Sequence, residues 1–277
     1  MTTSVRRGRT LRSRLLAYIT DAANRLRAAW RGLASAQTRL LARLGRVRPG
    51  RTAAARIRAA VTEFNQAIAD FNRDAGAFVD RWASVDLPQI YRDGGEAMLS
   101  HAERFGARFT WTVNHQAHVT ALSAQFFTDL TARIQEAIRR ARAFLRAAQD
   151  AARSRTQSFN GALLRRTHRL DTVVYANNAQ HPADSWALAA ITWQTVTTAN
   201  TAACRTALDD LGVNYLEVRD GPECGWETHD DPDRANRSLR TVQDALAHPT
   251  SHPHCVREFL PRMDLVGRDN ILSGTAL

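Results

Sequence analysis

Two cysteines and two histidines near the end of the chain have the spacing of metal ligands. Cys224 and His229 are five residues apart, His252 and Cys255 are three apart, and a loop separates the two pairs. Thiolate and imidazole are the ligands of structural Zn²⁺ sites, which are tetrahedral. The spacing therefore predicts a structural zinc site formed by Cys224, His229, His252 and Cys255.

Turn-forming residues surround both pairs. His252 precedes Pro253, which favours an extended backbone at His252 and projects its side chain out of the turn. Glycines and a proline predict a tight loop around Cys224. The alternative interpretation is that both cysteines are small buried apolar residues and that the histidines cap turns. The sequence leaves both interpretations open.

A hydrolytic centre is a third use of the same residues. Catalytic zinc needs an open coordination position and a general base. Acidic residues flank the first pair, but acids in turns are usually solvated. A His-x-x-Cys pair within one turn suits shared ligation better than it suits a base and a nucleophile. We therefore expect no enzyme, with a zinc-dependent or Cys/His hydrolase as the last alternative.

Positive charge is concentrated at the start of the chain. All 38 basic residues are arginine, and 15 of them lie in residues 1–60 beside a single acid, Asp21. The rest of the chain has a formal balance of −3, against a total of +11. Such asymmetry predicts contact with a polyanion or with an acidic protein surface.

Double-stranded DNA is a polyanion that this segment would contact through phosphates, without sequence preference. The candidate side chains are Arg6, Arg7, Arg9, Arg12, Arg14, Arg25, Arg27 and Arg31. We find no helix-turn-helix or standard zinc finger, and few aromatic residues for stacking on single strands. A sequence-independent DNA-binding protein is therefore one functional hypothesis, and docking on an acidic protein is the alternative role for these arginines.

The bulk composition indicates one large globular domain or two of ordinary size. Apolar residues make up 44% of the 277 residues and charged residues 23%. No run of about eighteen apolar residues is present, so we expect no membrane partner. Three widely separated cysteines favour a reducing compartment over a disulfide scaffold.

Apolar residues that recur every three or four positions predict long helices in the first 160 residues. One runs over 11–47, with an apolar stripe formed by Leu11, Leu15, Ile19, Ala22, Leu26, Trp30, Leu33, Leu40 and Leu44 and one polar member, Gln37. A second runs over 52–84, with a stripe formed by Phe64, Ile68, Phe71, Ala75, Phe78 and Trp82. The chain is expected to break at 86–88, form a shorter helix over 91–106 and a long one over 113–157.

The stripe of this last helix is assigned to Ala117, Ala121, Ala124, Phe127, Leu130, Ile134, Ala137, Ile138, Ala141, Leu145 and Ala148. His115 and His118 are interpreted as surface or cap residues.

Strand and helix signals alternate after residue 160. We predict strands at 172–175, 213–218 and 256–260, and helices at 183–211 and 233–247, with Gly212 closing the first helix. The predicted fold class is α+β, mostly α, with a long-helix N-terminal region followed by a small α+β C-terminal module. The predicted divisions are a basic helical arm (1–50), a helical region (51–160), the module (165–265) and a tail (266–277).

The module resembles the phage Mu protein-F-like head-morphogenesis domain of minor capsid proteins in tailed phages. The residues that carry the resemblance are Val173–Tyr175, the helix from Thr197 to Gly212, Cys224-Gly-Trp226 with His229, Ser251-His-Pro-His-Cys255, Arg257 and Pro261-Arg262. The likeness extends more weakly upstream, through residues 82–91 and 109–117. Two residues depart from the pattern. His229 stands in place of the second cysteine that many members have in the first pair. Arg257, two residues after Cys255, stands where many members have a further cysteine.

The resemblance implies a virion structural protein that acts inside the assembling head, beside the portal. Its implied partners are the portal protein and other head proteins, and its implied locations are the virion head and, during assembly, the host cytoplasm. No segment of domain size follows Leu265, so the appended enzymatic domain of some relatives is not expected.

Overall fold

The computed structural model describes residues 10–102, 108–154, 159–175, 177–220 and 236–267. It is mostly helical, with small antiparallel sheets toward the C-terminal end, which confirms the predicted fold class. The helices are α1 (Leu11–Gly45), α2 (Ala53–Arg81), α3 (Leu87–His101), α4 (Val113–Arg153), α5 (Gly161–Thr167), α6 (Ala183–Arg205) and α7 (Val242–Ala247). The strands are β1 (Thr172–Val174), β2 (Gln180–Pro182), β3 (Tyr215–Arg219), β4 (Leu239–Thr241) and β5 (Glu258–Pro261).

The chain divides into two compact units. The first unit comprises Met1–Asp21, Ala83–Phe126 and Leu188–Leu277, and the second comprises Ala22–Trp82 and Phe127–Ala187. Residues 165–187 of the predicted C-terminal module therefore fall in the second unit, and residues 188–265 fall in the first.

The second unit is a helical bundle whose core is formed by the predicted apolar stripes. All stripe residues of α2 from Phe64 to Trp82 are buried. The indole of Trp30 in α1 meets the ring of Phe71 edge-on, with 4.9 Å between centroids, and Phe64 meets Phe144 of α4 at 5.3 Å. The stripes thus cover one another within the unit, as amphipathic helices in a bundle do.

A buried polar side chain and a two-stranded sheet complete this unit. Gln37, the polar residue within the α1 stripe, is buried, and its Nε2 donates to the backbone oxygen of His168. The strands β1 and β2 pair antiparallel, with Val173 opposite His181. The sequence did not predict β2, because its three side chains are exposed and carry no apolar alternation.

The predicted break at 86–88 was wrong. The chain passes from α2 through a π-helical turn, Trp82–Asp86, directly into α3, and Asp86 keeps a right-handed helical backbone. Pro88 lies in the first turn of α3, directly after the π-helical turn, and the helical path continues through it. The helix consequently begins at Leu87 and ends at His101, earlier than predicted at both ends.

In the first unit, α3 and the end of α6 pack against a three-stranded sheet of order β4-β3-β5, antiparallel throughout. Gly94 of α3 lies so close to α6 that a Cβ there would overlap the carbonyl oxygen of Ala199. Gly212 has a φ of +65° at the end of the helical segment, which confirms its predicted role.

The predicted helix over 233–247 was wrong over its described N-terminal part. Residues Leu239–Thr241 form β4 because they pair with β3, with Leu216 opposite Arg240. The helix starts only at Val242, where the Thr241 hydroxyl caps it by accepting from the N–H of Asp244 at 3.1 Å.

The buried face of the first turns of α4 also differs from the prediction. Ala117, Ala121 and Ala124 are exposed and Phe127 is 39% exposed, whereas His115, Val119 and Phe126 are buried. Leu130, four residues after Phe126, continues this buried face. Small alanines tolerate either face of a helix, so the stripe was assigned to the wrong side. The interpretation of His115 as a surface or cap residue was wrong for the same reason.

Candidate functional site

The structure describes half of the predicted zinc ligands. Cys224 and His229 lie outside the described residues, and so does the convergence of all four side chains. His252 and Cys255 lie in the turn between α7 and β5. Among the residues that are described, no group of three or more Cys, His, Asp or Glu side chains could hold a metal ion.

Cys255 is a buried cysteine with a hydroxyl donor on its sulfur. The residue is fully buried, its N–H donates to the backbone oxygen of His252 at 2.9 Å, and its Sγ accepts from the Ser251 hydroxyl at 3.2 Å. A hydroxyl donor to sulfur is the kind of support that metal-bound thiolates receive from surrounding residues.

The imidazole of His252 is arranged differently. Its Nδ1 accepts from the N–H of His254 at 3.3 Å. In the neutral ring the proton then resides on Nε2, which leaves that nitrogen without a lone pair for a metal. Ligation through Nε2 would therefore require the contact with His254 to be given up.

A buried ion pair holds the start of the Cys224 segment beside the Cys255 turn. The guanidinium Nε of Arg257 lies 2.6 Å from Oδ1 of Asp220, and the two side chains are 1% and 6% exposed. The N–H of Asp220 also donates to Oδ1 of Asn236 at 3.0 Å, so the two described residues that flank positions 221–235 lie together.

Asn200 of α6 fixes the turn from the other side. Its Nδ2 donates to the backbone oxygens of Pro249 at 2.7 Å and of Arg257 at 2.9 Å. Nη1 of Arg257 approaches the backbone oxygen of His248 at 3.4 Å. The helix α6, the strand β3 and the turn that carries Cys255 are thus connected by buried polar side chains.

The described arginines among the predicted DNA ligands all contact protein groups. Arg6, Arg7 and Arg9 lie outside the described residues. The contacts of the others are Arg12 with the backbone oxygen of Val256 (3.3 Å), Arg14 with the Asp93 carboxylate (3.8 Å), Arg25 with the Phe78 ring (5.2 Å), Arg27 with the backbone oxygen of Asp184 (2.9 Å) and Arg31 with the Asp184 carboxylate (2.8 Å). Binding phosphate with these five would compete with those contacts.

Sequence reasoning missed a polar array in the first unit. Nδ1 of buried His115 lies 3.0 Å from the Tyr91 hydroxyl, and its Nε2 lies 3.4 Å from Oδ2 of Asp210. Burial raises the pKa of the Tyr91 hydroxyl. A carboxylate accepts, so the tautomer with a proton on His115 Nε2 satisfies the contact with Asp210 and leaves Nδ1 to accept from the Tyr91 O–H.

This array connects α3, α4 and the π-helical turn Thr206–Asp210 that follows α6. The rings of Phe109 and Trp111 lie around it, with Phe109 4.8 Å from the His115 imidazole. A lone histidine in an alanine-rich helix gave no signal for such a role, because the partners come from distant segments.

Comparison with protein-family models, with curated proteins and with solved structures found no match. Within the part of the chain that the structure describes, no helix is long and apolar enough to cross a membrane.

Proposed function

We propose that this chain is a structural minor capsid protein of a tailed phage, acting in head assembly next to the portal. The residues of the C-terminal module that resemble the head-morphogenesis domain are the basis of this proposal. Its partners would be the portal protein and other head proteins. It would reside inside the head of the virion, and in the host cytoplasm during assembly.

One observation carries the proposal beyond the resemblance. Cys255 and Arg257, both from the segment with the family's hallmark turn, are buried and bonded to neighbouring protein groups. Side chains buried and bonded in this way hold the module together, which supports a structural role for this segment.

Co-expression with the portal protein of the same phage tests this role. We expect the full chain to co-purify with portal rings through a tag on either partner. The matched comparison is Arg257→Met against Arg262→Met, since Arg257 is buried and Arg262 pairs at the surface with Asp264. Loss of co-purification with Arg257→Met alone supports a need for the folded module in portal contact, and no co-purification of the unaltered chain contradicts the proposal.

Contact with packaged double-stranded DNA is the second part of the proposal. Among the eight candidate arginines, Arg12, Arg14, Arg25, Arg27 and Arg31 contact protein groups, so we propose that Arg6, Arg7 and Arg9 contribute most to phosphate contact. Deleting residues 1–9 should weaken retention of a DNA duplex at low salt, whereas Arg27→Gln with Arg31→Gln should leave it unchanged. The reverse result would restore the α1 arginines as the DNA ligands.

A further inference from the structure

An open pocket of about 830 Å³ lies at one end of the second unit. The end of α1, the turn into α2, the first turns of α2 and the end of α4 form its walls. Most of the lining is apolar and includes Leu44, Val47, Ile57 and Phe159. The ring of Phe159 packs on Gly45, where a Cβ would stand 3.6 Å from it, so this wall is held against α1.

Arginines surround the pocket. Arg58 and Arg153 line it, and Arg46, Arg48 and Arg51 alternate with lining residues in the turn between α1 and α2. All five are exposed, and among the described residues none of them forms an ion pair. This distinguishes them from Arg39 and Arg43 of α1, which pair with Glu63.

We propose that this pocket binds an acidic amphipathic peptide segment of a partner protein. Apolar side chains at i, i+3 or i+4 would fill the pocket, and flanking carboxylates would meet the exposed arginines. The pocket volume lies in the range of sites that enclose several apolar groups. The arginines extend along the turn beyond the pocket itself, which fits a segment with several acids better than a single anionic group.

The apolar lining favours a protein segment over nucleic acid. Phosphates need cationic and N–H donors and gain nothing from walls of alanine, valine, isoleucine and phenylalanine. A charged groove for single strands would carry aromatic platforms for stacking, whereas Phe159 is the only aromatic residue in the described lining.

Fluorescence anisotropy with two labelled peptides and the full-length chain tests this assignment. The first peptide is a helix with leucines at i, i+3, i+4 and i+7 among glutamates, and the second replaces the leucines by serine at equal charge. We expect the leucine peptide to bind at least about tenfold more tightly, because apolar anchors dominate such interfaces. Equal binding of the two peptides would overturn the apolar role of the pocket.

Matched variants locate the site. Ala54→Trp fills the pocket from an exposed position of α2 and should weaken binding about tenfold, whereas Ala59→Trp, exposed on the same helix but outside the lining, should not. Arg58→Glu should weaken binding about fivefold and Arg56→Glu, which does not line the pocket, much less.

A short DNA duplex is the competing probe. The proposal is wrong if Arg58→Glu weakens binding of the duplex while the leucine peptide does not bind at all. The arginines at the pocket would then contact phosphate. Binding of neither probe also overturns it. The measurement uses the isolated chain, so failure here leaves the capsid role to be decided by particle assembly.

Discussion

Arg257 and Asp220 form a buried ion pair, with Nε of the guanidinium 2.6 Å from Oδ1 of the carboxylate. The pair joins the residue that follows β3 to the residue that precedes β5. Arg257 also contacts Asn200 and His248, so the pair links the sheet to α6 and to the turn that carries Cys255.

Removing one partner of this pair should be costly. Arg257→Met leaves the Asp220 carboxylate buried without its cation, which we expect to lower the free energy of unfolding by about 3–5 kcal/mol. The control, Arg262→Met, breaks a surface pair and should cost about 0–1 kcal/mol. Urea unfolding followed by circular dichroism gives both values. Similar losses for the two variants would show that the buried pair contributes no more to stability than the surface pair.

The hydroxyl of Tyr91 should stabilise the first unit through His115. Tyr91→Phe removes the donor to buried Nδ1 and should lower the free energy of unfolding by about 1–3 kcal/mol. Tyr175→Phe is the control, because Tyr175 is 38% exposed, and should change stability by less than about 0.5 kcal/mol. Thermal unfolding of the two variants, measured side by side, tests the difference; an unchanged melting temperature for Tyr91→Phe would refute it.

Two glycine-to-alanine changes should act in opposite directions. Gly94→Ala places a methyl group against the backbone of Ala199 and should destabilise the chain by about 1–3 kcal/mol. Gly76→Ala, in the interior of α2 with no atom within 4 Å of the new methyl, should stabilise it by about 0.5–1 kcal/mol through helix propensity. Equal effects on the urea midpoint would contradict the close packing of α3 on α6.

Zinc binding by Cys224, His229, His252 and Cys255 stays a prediction with a direct test. We expect about one zinc per chain by elemental analysis, and a lower melting temperature after chelation. Cys255→Ser should remove the zinc, whereas Cys204→Ala should leave it in place. Cys204 is packed in the core cluster of the first unit and belongs to neither predicted ligand pair. A chain without zinc whose melting temperature is indifferent to chelator would leave Cys255 as a buried apolar residue.

The long helices could be predicted from the sequence, because apolar residues at a period of 3.6 determine which face is buried. The stripes of α1 and α2 were correct for this reason, residue by residue from Phe64 to Trp82. The buried face at the start of α4 was predicted wrongly, because alanines fit either face of a helix and the buried residues there include a histidine, His115. The strand β4 was also missed, because pairing with β3 determines its conformation and its own residues do not.

The polar interactions of the site could not be predicted from one sequence. Asp220 and Arg257 are 37 residues apart, and Tyr91, His115 and Asp210 come from three separate segments. Their partners are chosen by the packing of helices and sheet, which local patterns do not specify. The partners of the α1 arginines could not be predicted either, because the sequence shows their charge but not the protein groups that they contact.

Cryo-electron microscopy of heads from the phage that encodes this chain tests the central claim most directly, together with deletion of its reading frame. The account predicts density for the chain at the portal vertex, in fewer copies than the major shell subunit, and defective heads after deletion. Heads of normal composition and infectivity that assemble without this chain would contradict it.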